Sequence, residues 1–177
     1  MTISARVADA TVADAIGGDV DALATIVGAH HDDMARIAFV ICGDVDLAQD
    51  AVQNAWPIAW RKMGSIRERD KLRQWLMSVA ANEARQIMRQ RRGHPVLEIS
   101  VAELAATPGD PAARDGAVDL DFALRRLSPD DRAILALRHV SGYDATEIGR
   151  ALGMPPASVR TRLARTITRL RKELADD

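Results

Sequence analysis

Six basic residues and no acid lie between Pro156 and Lys172, interleaved with the short hydroxyls Ser158 and Thr161. Guanidiniums beside small hydroxyls suit phosphate oxygens and the guanine edge of a base pair. On a helical wheel Val159, Leu163, Ile167, Leu170 and Leu174 make an apolar stripe. Thr161, Arg165, Thr168 and Lys172 face away from it, flanked by Arg160, Arg162 and Arg169. The chemistry indicated is binding to duplex nucleic acid through the first turns of this helix. A second polar face lies earlier in the chain, where Ser78, Asn82, Arg85, Gln86, Arg89 and Arg92 oppose Leu72, Leu76, Val79, Ala80 and Ile87. With Trp56, Trp60 and Trp75 nearby, this face could bind a single strand and stack on its bases. The same spacing also fits core tryptophans beside a solvated face, and periodicity alone favours that plainer reading.

Other chemistries find little support. Cys42 is the only cysteine, so neither an internal disulfide nor a cysteine-based zinc site can be built, and a reducing, cytoplasmic compartment fits. His30 and His31 are adjacent and point about 100° apart on a helix, which does not suit ligation of one ion. No nucleophile-base pair, glycine-rich phosphate loop or recognisable carboxylate pair occurs, and the chain is read as a non-enzyme that needs no cofactor or metal.

The elements that must position these faces are helices. The 177 residues are 47% hydrophobic and only 3% aromatic, with Ala, Leu and Arg abundant, a mix that favours an all-α protein. Apolar residues at three- and four-residue steps predict a helix over 20–42, closed by Gly43. A second runs from a cap at Asp44 or Asp46 to about Met63, with a kink expected at Pro57, and a third starts near Asp70. Residues 93–117 contain three prolines and three glycines and read as a flexible linker, with room for a short helix near 100–106. Leu120, Leu124 and Leu127 then suggest a short helix, and Ser128-Pro129 opens another that ends at Ser141-Gly142. Asp144 and Glu147 have capping-box spacing, Gly153 closes the short helix they open, and Pro155-Pro156 begins a final helix to about Ala175. A short capped helix, a tight turn and a longer basic helix make the layout of a helix-turn-helix. Net charge alternates as −7, +7, −5 and +4 over residues 1–55, 56–92, 93–124 and 125–177, giving two basic surfaces suited to a nucleic-acid partner. No apolar run approaches the ~20 residues of a membrane span, so no membrane insertion is expected.

Ala48 to Arg61, with Asp50, Gln53, Asn54, Trp56 and Trp60, resembles the helix with which bacterial sigma factors grip RNA polymerase. Trp75-Leu76, Ala80-Ala81-Asn82 and Arg89–Arg92 are similar to the segment that recognises and opens the minus-10 element. Leu127-Ser128-Pro129, Leu137-Arg138, Gly142-Tyr143, Glu147-Ile148-Gly149, Leu152-Gly153 and Ser158–Arg165 resemble the minus-35-reading domain. The resemblance covers about 18–92 and 118–175 and points to the small two-domain extracytoplasmic-function (ECF) group of the sigma-70 family. It implies a polymerase-binding and minus-10-melting domain at 18–92, a linker at 93–117 and a minus-35-binding domain at 118–177. It further implies core RNA polymerase and promoter DNA as partners, with an anti-sigma factor as a third. Carried over by position, Asp50, Gln53 and Asn54 would meet polymerase, and Asn82, Arg85, Gln86 and Arg89 the minus-10 DNA. A loop at 64–71 would form the pocket for an extruded base beside Asn82. Ser158, Arg160, Thr161, Arg162 and Arg165 would meet the minus-35 DNA. Asn54 stands where the family usually has Glu, Pro57 interrupts the clamp-binding helix, Gln86 stands for Asp or Asn, and Ala157 for Gly. The alternative is a stand-alone helix-turn-helix regulator with an N-terminal ligand or dimerisation module, and a third reading is an adaptor that binds only proteins.

Overall fold

The computed structural model describes residues 9–66, 68–91, 120 and 122–174, and among these there are helices and turns but no strand. The linker and the short helix expected within 93–117 lie outside the described residues. Among the described residues the fold is carried by α1 (Asp9–Ile16), α2 (Val20–Cys42), α3 (Val45–Lys62), α4 (Leu72–Gln90), α5 (Pro129–His139), α6 (Ala145–Leu152) and α7 (Pro156–Glu173), and residues 120 and 122–125 are helical too, where Leu120, Leu124 and Leu127 suggest a short helix.

Their ends follow local chemistry. Asp19 caps α2 by accepting from the Ala22 amide at 2.9 Å, and Gly43 ends it in the left-handed region at φ 69°. Asp44 caps α3 through the Leu47 amide at 2.9 Å. Helix α3 runs through Pro57 as one element and is not divided into two pieces there. Pro57 is exposed, and its neighbours Ala55 and Ala59 hold the helix against the core. Two 3-10 turns, Met63–Ser65 and Arg69–Lys71, lead into α4. Ser128 caps α5 through the Asp131 amide at 3.1 Å. At α6 the expected capping box is present. Asp144 Oδ1 accepts from the Thr146 and Glu147 amides at 2.7 and 2.8 Å, and Glu147 Oε2 accepts from the Asp144 amide at 2.8 Å.

Helices α2, α3 and α4 pack pairwise, with α1 laid on α2. Val12 and Ala15 anchor α1, an element the sequence reading missed, and Arg69 Nη1 donates to Asp9 O at 2.9 Å to hold its start. Ile26, Met34, Ile37 and Ile41 of α2 meet Val52 of α3 and Leu76 and Met77 of α4, all fully buried and each stabilising the fold by roughly 1.5–3 kcal/mol. The second module does not stand apart. Helix α5 packs on α2 and α4, and α6 packs on α4. Ile134 and Leu137 of α5, Ile148 of α6 and Val159 of α7 therefore belong to one hydrophobic cluster with the first three helices.

Candidate protein and nucleic-acid interfaces

Helix α3 turns Ala51, Val52, Ala55 and Ala59 inward, and that leaves Asp50, Gln53 and Asn54 exposed on the opposite side. Residues 50, 53 and 54 follow the i, i+3, i+4 spacing and so share one face. Beside them lies a shallow apolar groove of about 410 Å³, lined by Leu23, Val27, Trp56, Pro57, Trp60 and Arg61. Trp56 is half-buried and donates its indole N–H to His31 Nδ1 at 3.3 Å, while Trp60 is 43% exposed. Periodicity alone favours core tryptophans over displayed ones. The structure divides them, with Trp56 and Trp75 half-buried and Trp60 open to solvent.

The polar side of α4 holds the second set. Gln86 and Arg89 are exposed, Asn82 is half-buried, and Arg85 is only 5% exposed. A face expected to look into solvent is thus partly covered, because the second module supplies acceptors for it. Asn82 Nδ2 donates to Ala151 O at 2.8 Å, and Arg85 Nε donates to Asp130 Oδ1 at 2.8 Å. Arg85 Nη1 also donates to Asn82 Oδ1 at 3.0 Å, which locks the two side chains into one unit. The 3-10 turns at 63–65 and 69–71 lie across a cleft of about 650 Å³ from α6, and Trp75, Asn82, Glu147 and Arg150 line it. Burial pushes the Asp130 carboxyl up. The hydrogen bond and charge of Arg85, with Arg162 and Arg89 behind, outweigh that and hold it below the usual carboxylate range.

The third set sits on α7, which crosses α6 after the αL turn at Gly153 (φ 67°). A tight approach makes this turn possible. A Cβ on Gly149 would lie 2.6 Å from Met154 O, so glycine lets α6 and the turn touch. Val159 is fully buried, and Ser158, Arg160, Thr161 and Arg165 project outward from the first turns. Thr161 Oγ1 donates back to Ala157 O at 3.0 Å. Arg162 is placed differently from its neighbours. Its Nε donates to Asp131 Oδ1 at 2.8 Å, its Nη2 to Ser128 Oγ at 3.2 Å, and its Nη1 lies 3.7 Å from Asp130 Oδ2. Arg162 therefore ties α7 to the start of α5, and the other four are turned to solvent.

Two residues to which the sequence reading gave no role of their own, Tyr143 and Asp130, complete these sites. Tyr143, the only tyrosine, is buried, donates its hydroxyl to Gln74 O, and lies 3.0 Å from Ser78 Oγ, both on α4. Burial pushes its phenol up to about 12. Asp130 follows directly on the Ser128-Pro129 helix start and links Arg85 to Arg162. Among the described residues no group of His, Cys, Asp and Glu is placed to hold a metal ion, and no helix is long and apolar enough to cross a membrane.

Comparison with known proteins assigns both modules. The family model for Sigma-70 region 2 matches residues 26–94, and that for Sigma-70 region 4 matches residues 117–170. The RNA polymerase sigma factor CarQ of Myxococcus xanthus is 32% identical over 135 residues, which span 73% of this chain and 76% of CarQ. The ECF RNA polymerase sigma factor SigW of Bacillus subtilis is 27% identical over 175 residues, spanning 90% of this chain and 92% of SigW. Among solved structures, the sigma factor RpoE of Bartonella quintana, in complex with the anti-sigma factor NepR, superposes with a TM-score of 0.70 at 26% identity. That match covers 89% of this chain and 99% of RpoE. Region 2 on the three-helix module, region 4 on the helix-turn-helix, and relatives aligned along most of both chains make this protein a member of the ECF group of the sigma-70 family of RNA polymerase sigma factors.

Proposed function

We propose that the three surfaces divide the work of a sigma factor among core RNA polymerase, the melted minus-10 strand and the minus-35 duplex, within domains at 18–92 and 118–177 joined by 93–117. The exposed face of α3, with Asp50, Gln53 and Asn54, docks on polymerase, and the groove at Trp60 extends it with apolar area. Asn82, Arg85, Gln86 and Arg89 of α4 hold the minus-10 DNA. An amide can pair with the edge of an extruded base, and guanidiniums can pair with phosphates. Ser158, Arg160, Thr161 and Arg165 enter the major groove at minus 35, and Arg162 sets the angle of their helix. The observation that carries this reading is the first turns of α7: Val159 is buried, and the hydroxyls and guanidiniums around it point into solvent.

The chain acts in the cytoplasm with polymerase and is itself no catalyst, since bond formation belongs to the polymerase. An anti-sigma factor is a fitting third partner, as NepR is for RpoE. Tethering explains why two modest DNA sites suffice, because polymerase holds both at the spacing of the promoter elements and converts them into avidity. The test is run-off transcription with purified core polymerase, with and without this chain, on a library of promoters. Specific initiation that depends on the chain is expected. Tight binding to duplex DNA by the chain alone, with no effect on polymerase, would identify a stand-alone regulator instead.

A further inference from the structure

Every large apolar side chain that is exposed among the described residues falls in one of two patches: Ile16, Val20 and Trp60, or Leu120, Phe122 and Leu174. Val20 and Phe122 are the most open of them, at 69% and 63%. The first three share one surface. Val20, Leu23 and Val27 follow the i, i+3, i+7 spacing on α2, and Leu23 and Val27 line the groove at Trp60. A hollow of about 290 Å³ at Ala15, Ile16 and Met63 continues that groove, since Leu23, Trp60 and Arg61 line both. The other three meet where the second module begins and α7 ends. Arg126 lies over the Phe122 ring at 5.7 Å, and its Nε is 4.0 Å from Glu173 Oε1, next to Leu174. Apolar side chains exposed singly are ordinary on a folded surface, whereas clustered ones mark a contact.

The two patches carry opposite charge. Between Arg6 and Arg36 the sequence has six acids and no Lys or Arg, and Asp14, Asp19 and Asp21 are exposed in the stretch that holds Ile16 and Val20. Among the residues lining the groove Arg61 is the one cation. At the second patch Arg126, Arg169, Arg171 and Lys172 are exposed, and the half-buried Glu173 is engaged by Arg169 at 2.9 Å. Like patches brought together would set acids against acids or guanidiniums against guanidiniums. Unlike patches match in both apolar surface and charge.

We infer that this chain associates head to tail with a second copy, the Ile16–Val20–Trp60 surface of one receiving the Phe122–Leu174 surface of the other. Such a contact is heterologous, built from two different patches that every copy carries. A copy held this way has Trp60 covered, so the groove beside the α3 face is closed to polymerase while the contact lasts.

The test uses the full chain without polymerase. Sedimentation equilibrium reads the weight-average mass from about 1 µM to about 1 mM, the range of transient contacts. The mass should rise with concentration at ~0.05 M salt and return to the single-chain value at ~1 M, where the Debye length is about 3 Å. Val20→Ser/Trp60→Ser removes one patch and Phe122→Ser/Leu174→Ser the other; all four side chains are exposed, and circular dichroism melts confirm folding. Each variant alone should associate at least about tenfold more weakly than wild type. An equimolar mix of the two should regain association, because each supplies the patch that the other lacks. If either variant melts early, Asp14→Lys/Asp21→Lys and Arg171→Glu/Lys172→Glu replace the pair: like charges keep each from itself, and mixing restores opposite charges across the contact. Single-chain mass at every concentration in low salt refutes the inference. Association lost in one variant and kept in the other, or a mix that stays apart, refutes the head-to-tail pairing. Association indifferent to salt refutes the charge match that selects a second copy as the occupant.

Discussion

Among the arginines at the start of α7, Arg162 should behave as a strut and Arg160 and Arg165 as readers. We predict that Arg162→Ala lowers stability without relaxing promoter choice. The side chain is 30% exposed and its partners Asp131 and Asp130 are 23% and 27% exposed, so the network lies between a surface pair and a buried one. Exposed pairs contribute ~0.2–1 kcal/mol and hydrogen bonds to charged groups ~1.5–3 kcal/mol. Solvent screening at this exposure argues for the lower part of that span, about 1–1.5 kcal/mol. In a chain of this size that corresponds to a fall in Tm of roughly 2–6 °C. Arg160→Ala and Arg165→Ala should leave Tm within about 1 °C, since both side chains are exposed. They should instead blunt the penalty for altered minus-35 sequences, because a bidentate guanine contact is worth ~1–3 kcal/mol of discrimination. Thermal melts and ranked run-off transcription measure the two effects separately. An Arg162→Ala protein that melts like wild type but ranks minus-35 variants differently would show that the ion pairs to Asp131 and Asp130 yield to DNA, and the strut assignment would be wrong.

Replacing Asp50 and Gln53 together by Ala should weaken capture of core polymerase severalfold with the helical circular dichroism signal unchanged; undiminished capture would move docking off this face of α3. His30 is buried with no hydrogen-bond partner for Nδ1, and burial, aided by the Arg73 charge against the pull of Asp33, holds its pKa below the usual value. Below about pH 6.5 the unfolded chain therefore binds more protons than the folded one, and stability falls as pH drops from there towards the folded pKa, by at most ~1.4 kcal/mol per pH unit. Denaturant melts at pH 7.5 and 5.5 should show this loss shrinking in His30→Leu, and an equal loss in both proteins would clear His30 of the effect. Gly149→Ala should destabilise by about 1–3 kcal/mol, because the new methyl meets the Met154 carbonyl rather than a side chain that could swing away. A melt at or above the wild-type temperature would mean that the turn relaxes freely.

Where a boundary is set by neighbours in sequence, the chain announced it. Gly43 ended α2 as expected, Asp44 capped α3, and the Asp144–Glu147 box opened α6, since each device acts within four residues. Of the apolar stripe on α7 only Val159 is buried, with Leu163, Ile167 and Leu170 half-buried and Leu174 exposed, because few neighbours cover the later turns, and Arg162, only two residues from Arg160, could not be told from it by spacing. Its role depends on Asp131, thirty-one residues away. Helix α1 was missed because eight residues carry too few turns for a period to show, and only Val12 and Ala15 mark its inner side. The covering of α4 was illegible in principle. Periodicity separates apolar from polar, and the partners of Asn82 and Arg85 are backbone carbonyls and an aspartate that also serves as an ordinary first-turn acid of α5. The lone Tyr143 was the one signal available, a large phenol in a chain with little aromatic content.

The shared core acquires a further meaning when the chain is considered as it is made. Helices α1 to α4 leave the ribosome first and can bury one another, but the sides of α2 and α4 that receive α5 have nothing to meet until Ala133 to Leu137 follow, about forty residues later. At ~5–20 residues per second that interval lasts some seconds. During it the nascent protein has the exposed α3 face of Asp50, Gln53 and Asn54 formed, its apolar flank uncovered, and Asn82 and Arg85 without their internal acceptors. Each new copy thus passes through an interval of vulnerability in which a chaperone, a strand of DNA or another nascent copy competes with the chain's own later half for the same ground.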